Sequence, residues 1–297
     1  LFIMRIRLLA ASALLALVAG CASQPPSAPG ALLPESAQSI VSASDNKLDA
    51  TLWMQQSAEY EAAMLGSFAL ARQQLDLALA DPGWDAMPAG ERKVSAKDLP
   101  PALITDADET LLDNSPFQAR SIRAQNTDFS YDAWLSWVSE RRAHALPGAL
   151  AFYRYAAEQG VTVYYVTNRD DPAERAATID NLRALGFPVA DDGSNVILRN
   201  DPRAPGREKG VRRSWISERH RVLLMLGDNL GDFLDGVAVS PLARHTLVER
   251  NRMRWGKQWI MLPNPAYGSW ESAILRECGE RAKSDPNGCK RDALRLQ

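Results

Sequence analysis

The sequence predicts an α/β fold: a parallel sheet flanked by helices, with a small helical cap region. Three observations predict it. Apolar runs at residues 102–105, 161–166 and 222–227 have the length and composition of buried strands. Helical patterns separate them, so consecutive strands run parallel through right-handed crossovers. Each run ends in a polar cluster, and parallel sheets bind ligands outside the carboxyl ends of their strands.

The elements follow in order. Residues 44–80 are helix-rich, with Leu48, Leu52, Tyr60, Met64, Phe68, Leu75 and Leu79 at near-helical spacing. Asp81-Pro82-Gly83 stops that run, and a polar linker at 89–101 leads to the first strand. A helix over 131–142 carries Trp134 and Trp137, read as packing residues. Pro147-Gly148 opens the next helix, which ends near Gly160. Another starts with Asp171 as N-cap and Pro172 at the first helical position, and runs to Gly186. Residues 195–198 form a short strand. The chain between the first two long strands exceeds what one crossover helix needs. The surplus, about 115–144, is expected to join the N-terminal helices in a small helical region over the site.

The polar clusters carry the chemistry. Asp106-Ala107-Asp108-Glu109-Thr110 follows the first strand, Thr167-Asn168-Arg169 the second, and Asp228-Asn229-Leu230-Gly231-Asp232-Phe233 the last. Two carboxylates at i and i+2, where a buried strand ends, are costly unless paired. A hard divalent cation with oxygen ligands is one such partner. An acidic loop capping the next helix is the other reading of an isolated DxD. Three clusters in sequence, with Lys209 before the last helix-strand unit, favour one composite site. Arg207, Arg212 and Arg213 compete with Lys209, and such a charge cluster also fits a solvated helix face.

Taken together, residues 104–114 (ITDADETLLDN) and 227–233 (GDNLGDF) resemble the paired signatures of class C acid phosphatases. These belong to the haloacid dehalogenase superfamily and include outer-membrane lipoprotein 5′-nucleotidases. Residues 52–60 and 263–271 resemble that family's N-terminal helix and C-terminal segment, so the likeness spans roughly 47–275. Ala107 and Phe117 depart from the pattern, replacing a larger aliphatic residue and a frequent tyrosine, without removing a reacting group. The resemblance implies a haloacid dehalogenase-like Rossmannoid core over 101–297, with a helical insertion at about 115–147 and an N-terminal helical region at 44–100.

It also implies roles. Asp106 would be the nucleophile, forming an aspartyl-phosphate. Asp108 would protonate the leaving alkoxide and then take a proton from water. Asp106, the backbone carbonyl of Asp108 and Asp228 would hold one magnesium ion. Asp232 would orient Lys209 or a metal-bound water. Lys209 and Thr167, with Asn168 beside it, would bind phosphate oxygens. Phe129 and Tyr267 are candidates to sandwich a nucleobase, or else are rim aromatics. The expected substrate is a small phosphomonoester, a nucleotide first. A broad phosphomonoesterase, a phosphotransferase and an anchored non-catalytic binding lipoprotein are the alternatives.

The N-terminal residues suggest a location. Met4-Arg5-Ile6-Arg7 is a basic segment, and the apolar run at 8–18 is too short to span a bilayer. With Val18-Ala19-Gly20-Cys21 they predict a signal peptide at 1–20, lipidation of Cys21 and a flexible tether at 21–43. Ala22 in place of Asp favours an outer-membrane lipoprotein of a Gram-negative bacterium, periplasmic or surface facing. Cys278 and Cys289 are then an even pair in an oxidising compartment, where a disulfide is expected and two free thiols are the alternative. His144, His220 and His245 are scattered, with no zinc spacing. A net charge of −2 argues against a nucleic-acid partner. No pattern specifies the oligomeric state; a dimer is compatible with it.

Overall fold

Strand β1 (Pro101–Thr105) lies at the centre of a five-stranded parallel sheet. The structure is a computed structural model and describes residues 47–126 and 129–297. The expected signal peptide at 1–20, lipidation of Cys21 and tether at 21–43 lie outside the described residues. Before β1 come α1 (Leu48–Gln56) and α2 (Ala58–Ala80). After it come β2 (Leu112–Asp113), α3 (Ser115–Arg123), α4 (Tyr131–Glu140), β3 (His144–Ala145) and α5 (Ala149–Glu158). Then follow β4 (Thr162–Val166), α6 (Arg175–Leu185), β5 (Val196–Ile197), α7 (Gly210–Ser217) and β6 (Arg221–Gly227). The chain ends with α8 (Pro241–Arg250), β7 (Trp259–Met261), α9 (Ser269–Cys278) and α10 (Pro286–Asp292). Among the described residues no helix is long and apolar enough to cross a membrane.

The strand order is β5-β4-β1-β6-β7, with every neighbouring pair parallel. The chain leaves β1 toward β4 and β5, then returns to the other side for β6 and β7. That reversal is a topological switch point, where helices diverge and leave a crevice at the strand ends. Strand β7 was not foreseen: three residues, Trp-Ile-Met, are too few for a period to show.

Alternation divides the side chains between two cores. Leu103, Val163, Tyr165, Leu226 and Ile260 pack on one face with Phe68 and Leu75 of α2, Phe152 of α5 and Leu182 of α6. Ala102, Ile104, Tyr164, Val166 and Met225 pack on the other with Ile216 of α7, Phe233 and Trp259. Opposite β1 the register of β6 jumps from Val222 to Leu224, so a bulge absorbs Leu223. Leu223 and Leu224 therefore join the same core. Helix α2 thus lies in the layer that covers the sheet, instead of over the site; its Phe68 ring is 5.9 Å from that of Tyr153. Helix α1 packs against α3 of the insertion. Ser57 separates α1 from α2 and accepts a bond from Tyr60 N–H at 3.1 Å as N-cap, worth about 1 kcal/mol.

Helix α6 starts later than expected, at Arg175, with Glu174 at the N-cap. The Asp171 carboxylate is used by Arg175 at 2.6 Å, and Arg175 also reaches Asp201 at 2.5 Å. Residues 171–174 form turns instead. The insertion is built of α3, α4 and the antiparallel β2–β3 pair. Cys278 and Cys289 are joined by a disulfide with Cα atoms 5.8 Å apart, tying α9 to α10.

Candidate active site

Three strand ends meet at the crevice. Asp106 follows β1 directly, and its N–H donates to Leu226 O of β6 at 3.0 Å, which locks the turn to its neighbour. Thr167 follows β4, and its N–H donates to Ile197 O of β5 at 3.1 Å. Asp228 follows β6, while Leu262 N–H after β7 donates to Gly227 O at 2.9 Å. These bonds continue the sheet past its last strand residues and hold the polar clusters side by side.

The chain after Gly227 has its own logic. Asn229 caps the short 3₁₀ turn Leu230–Asp232, and Asp232 Oδ2 accepts from Asn229 N–H at 2.8 Å, a reciprocal capping box. A Cβ on Gly227 would fall 2.3 Å from Asp232 Oδ2, so only glycine lets the carboxylate fold back this closely. That leaves Asp232 Oδ1 to accept from Lys209 Nζ at 2.7 Å. Lys209 also pairs directly with Asp106 Oδ1. Of the four basic candidates Lys209 is therefore the one paired with Asp106. The solvated-face reading of α7 fails: Arg212 and Arg213 are fully buried. Arg213 is held by Glu91 at 2.6 Å and Asp235 at 2.9 Å. Arg212 donates to Thr167 O at 2.5 Å and Asn168 Oδ1 at 2.6 Å. Burial pulls the pKa of Arg212 down to about 10.

Asp106, Asp228 and Asp232 each bring a carboxylate oxygen within 4.8 Å of the others. Burial, with Asp232 and Asp108 adding to it against the pull of Lys209, pushes Asp106 up to about 6. Burial also pushes Asp228 well above the ordinary carboxylate range, reinforced by Asp232 and Asp106. Burial works against the charge on Lys209, yet Asp106 and Asp232 outweigh it and raise its pKa. A crowded, buried carboxylate set with raised pKa values is what a hard divalent cation relieves, and its all-oxygen chemistry fits one. Asp232 spends Oδ1 on Lys209 and Oδ2 on Asn229.

Asn264 is a site residue that sequence reasoning missed. Its Nδ2 donates to Asp228 Oδ2 at 2.8 Å, while its Oδ1 accepts from Ala266 N–H at 3.0 Å and Tyr267 N–H at 3.4 Å. The segment after β7 is thereby tied to Asp228. Thr110 Oγ1 donates to Asp228 Oδ1 at 3.3 Å.

Asp108 stands apart from the carboxylate trio. Its Oδ1 accepts from Arg169 Nη2 at 2.7 Å and Asn114 Nδ2 at 2.8 Å. Arg169 and Asn114 were also missed, although Arg169 closes the Thr-Asn-Arg cluster. Thr167 is buried; its Oγ1 accepts from Arg169 N–H at 3.1 Å and lies 3.5 Å from Asp108 Oδ2. Asn168 is exposed beside it. Trp134 and Trp137 do more than pack: their indoles donate to Glu174 Oε2 at 3.0 Å and Asn114 Oδ1 at 2.8 Å. Glu109 is fully buried with φ +54°, and its Oε1 accepts from Asn114 N–H at 2.8 Å. Burial, then the charge of Asp108, pushes its pKa well above the usual range.

The two base-stacking candidates differ in setting. Phe129 is 68% exposed, with its ring 6.3 Å from Phe117 and 6.4 Å from Trp134. Tyr267 is half-buried against the larger core.

Comparison with known proteins identifies the family. The family described as HAD superfamily, subfamily IIIB (acid phosphatase), matches residues 37–270. The class C acid phosphatase from Bacillus anthracis is similar in structure, with a TM-score of 0.73 and 30% identity, over 86% of this chain and 100% of that one. A second Bacillus anthracis class C acid phosphatase structure, with tungstate bound, gives a TM-score of 0.72 and 32% identity, over 86% and 98%. With the family match covering most of its length, the chain belongs to the acid phosphatases of subfamily IIIB of the HAD superfamily, and it is a phosphoric monoester hydrolase.

Proposed function

We propose that this enzyme hydrolyses nucleoside monophosphates outside the cytoplasm through an aspartyl-phosphate on Asp106. The observation that carries this reading is the pairing of Asp106 with buried Lys209 at the end of β1, with Asp108 two residues further on. A phosphomonoester repels nucleophiles because its oxygens are negative, so the site must supply positive charge and place the attacking atom.

Lys209, held by Asp232, puts an ammonium at the nucleophile. It stabilises charge on the phosphoryl oxygens as the bond to the leaving oxygen breaks. In the first step an Asp106 carboxylate oxygen bonds to phosphorus, the ester P–O bond breaks, and the Asp108 carboxyl proton passes to the leaving alkoxide. In the second step a water oxygen attacks the same phosphorus and the Asp108 carboxylate takes the water's proton. Inorganic phosphate leaves and Asp106 returns as a carboxylate. Thr167 at the end of β4, with Asn168 beside it, would add donors to the phosphate cradle.

One magnesium ion, held by Asp106, Asp228 and the Asp108 carbonyl, would neutralise phosphoryl charge when bound. Tungstate in the Bacillus anthracis relative is a tetrahedral oxyanion, which supports a phosphoryl pocket in this fold. Phe129 and Tyr267 would flank the base: Phe129 offers an exposed ring, and Tyr267 is hydrogen-bonded through Asn264 to Asp228. Cys21, lipidated, would anchor the enzyme in the outer membrane, where dephosphorylation turns charged nucleotides into more permeable nucleosides.

The test is phosphate release from adenosine monophosphate, nicotinamide mononucleotide and p-nitrophenyl phosphate, with and without magnesium. Metal-dependent turnover ranked toward the nucleotides supports the reading. Equal rates on all three would make this a general phosphomonoesterase. Turnover independent of metal would remove magnesium from the account. No turnover on folded protein would favour the binding lipoprotein.

A further inference from the structure

Asp108 is gripped from two sides by residues that the hydrolytic chemistry does not itself require. Arg169 lies buried below it, with a side chain 1% exposed. Its Nη2 donates to Asp108 Oδ1 at 2.7 Å, and its Nε lies 3.1 Å from Oδ1 and 3.2 Å from Oδ2. Its Nη1 donates to Thr178 Oγ1 of α6 at 3.1 Å, and its guanidinium carbon is 5.5 Å from the centre of the Trp134 ring. Asn114, at the start of α3, donates from Nδ2 to Asp108 Oδ1 at 2.8 Å. Behind it, Trp137 Nε1 donates to Asn114 Oδ1 at 2.8 Å.

The chemistry of these groups makes the arrangement directional. An indole N–H and a guanidinium can only donate. Trp137 therefore requires the Asn114 carbonyl oxygen on its side, which turns the Asn114 NH2 toward Asp108. Arg169 delivers a second fixed donor. Oδ1 of Asp108 therefore accepts from two fixed donors at once, Asn114 Nδ2 and Arg169 Nη2. Oδ2 is held less tightly, by Arg169 Nε at 3.2 Å and Thr167 Oγ1 at 3.5 Å.

We propose that α4, through Trp137–Asn114 on one side and Trp134–Arg169 on the other, positions Asp108 by clamping its Oδ1, which leaves Oδ2 the less engaged oxygen. Trp134, Trp137, Asn114 and Arg169 are positioning residues. They act through Asp108 and make the insertion part of the acid–base apparatus. The proposal rests on the reading of Asp108 as the proton donor to the leaving oxygen.

General-acid strength shows in leaving-group dependence. An aryl oxide departs without a proton, whereas an alkoxide needs one. The experiment measures kcat/KM on the full chain in detergent, with magnesium, for a series of substituted phenyl and alkyl phosphomonoesters. The readout is the slope of log(kcat/KM) against leaving-group pKa. It compares wild type with Trp137→Phe, Asn114→Ala and Arg169→Lys, beside Asp108→Asn as control. Partial unfolding lowers every substrate by the same factor and leaves the slope alone, so it cannot imitate the expected result.

In Trp137→Phe and Asn114→Ala the slope should steepen, with alkyl esters losing about 10- to 100-fold more than p-nitrophenyl phosphate. Arg169→Lys, which keeps the charge and loses the fork, should steepen it as well. Unchanged slopes in the three variants, while Asp108→Asn steepens, would overturn the proposal and leave the acid assignment standing. An unchanged slope in Asp108→Asn would overturn both.

Discussion

Lys209 Nζ donates to Asp232 Oδ1 at 2.7 Å, with both side chains buried, and the same ammonium pairs with Asp106. Asp232 is thereby more than an acidic neighbour: its other oxygen accepts from Asn229 N–H, so one carboxylate ties the loop after β6 to the cation paired with Asp106. Lys209→Met should lower kcat/KM by about 10²- to 10³-fold, as expected for a charge that acts on the transition state. Asp232→Asn should lower it less. The double variant should be no worse than Lys209→Met within a few-fold, since both act through one ammonium. Steady-state kinetics on the three variants checks this; additive losses would separate the two residues.

Proton competition should govern metal binding at the proposed Asp106–Asp228 site. Burial pushes Asp106 up to about 6 in the metal-free protein, and Asp228 is also raised. A cation must then displace a proton at any pH below about 6, so affinity falls as pH falls. Titration calorimetry should show magnesium binding weakening about tenfold per pH unit in that range, with proton release. A flat affinity between about pH 7 and about pH 5 would contradict this.

A structural ion pair offers a second pH signature. Burial works against the charge on Asp201, but Arg203 and Arg175 outweigh it and bring its pKa down to about 2. A carboxylate depressed in the folded state contributes stability that is present above its unfolded pKa. That stability is lost as pH falls from about 4 through about 2. Asp201→Asn should therefore destabilise by about 1–3 kcal/mol at neutral pH, because two arginines lose their shared acceptor. Denaturant melts should show the gap to wild type closing at the acid end.

The aromatic pair predicts selectivity without loss of chemistry. Phe129→Ala and Tyr267→Ala should raise KM for adenosine monophosphate by about tenfold and leave p-nitrophenyl phosphate less affected, as stacking on one ring is worth about 1–3 kcal/mol. Equal effects on both substrates would remove these rings from base recognition.

Much of this was legible in the sequence because it is carried by contiguous segments. The long strands and their polar ends show as apolar runs that stop abruptly, and the GDNxxD spacing is the spacing of a capping box. What was not legible is carried by single residues acting across the fold. Asn264 reaches Asp228 over 36 positions, and Arg169 reaches Asp108 over 61. No local pattern announces such bonds. Asp171 looked like a helix N-cap by composition, but a nearby arginine used its carboxylate first. Arg212 and Arg213 looked like a solvated face because a charge run is usually one; here carbonyls, Glu91 and Asp235 hold both inside. Helix α2 looked like part of the cap, and its apolar stripe instead covers the sheet.

The most direct test of the account is the covalent intermediate. The full chain with magnesium is mixed with adenosine monophosphate and quenched in acid, and its peptides are examined by mass spectrometry beside Asp106→Asn. The account predicts one phosphoryl group on the peptide containing Asp106, absent from the variant, and no phosphate release by the variant. Phosphate release by Asp106→Asn at the wild-type rate, or a phosphoryl group on another residue, would contradict it.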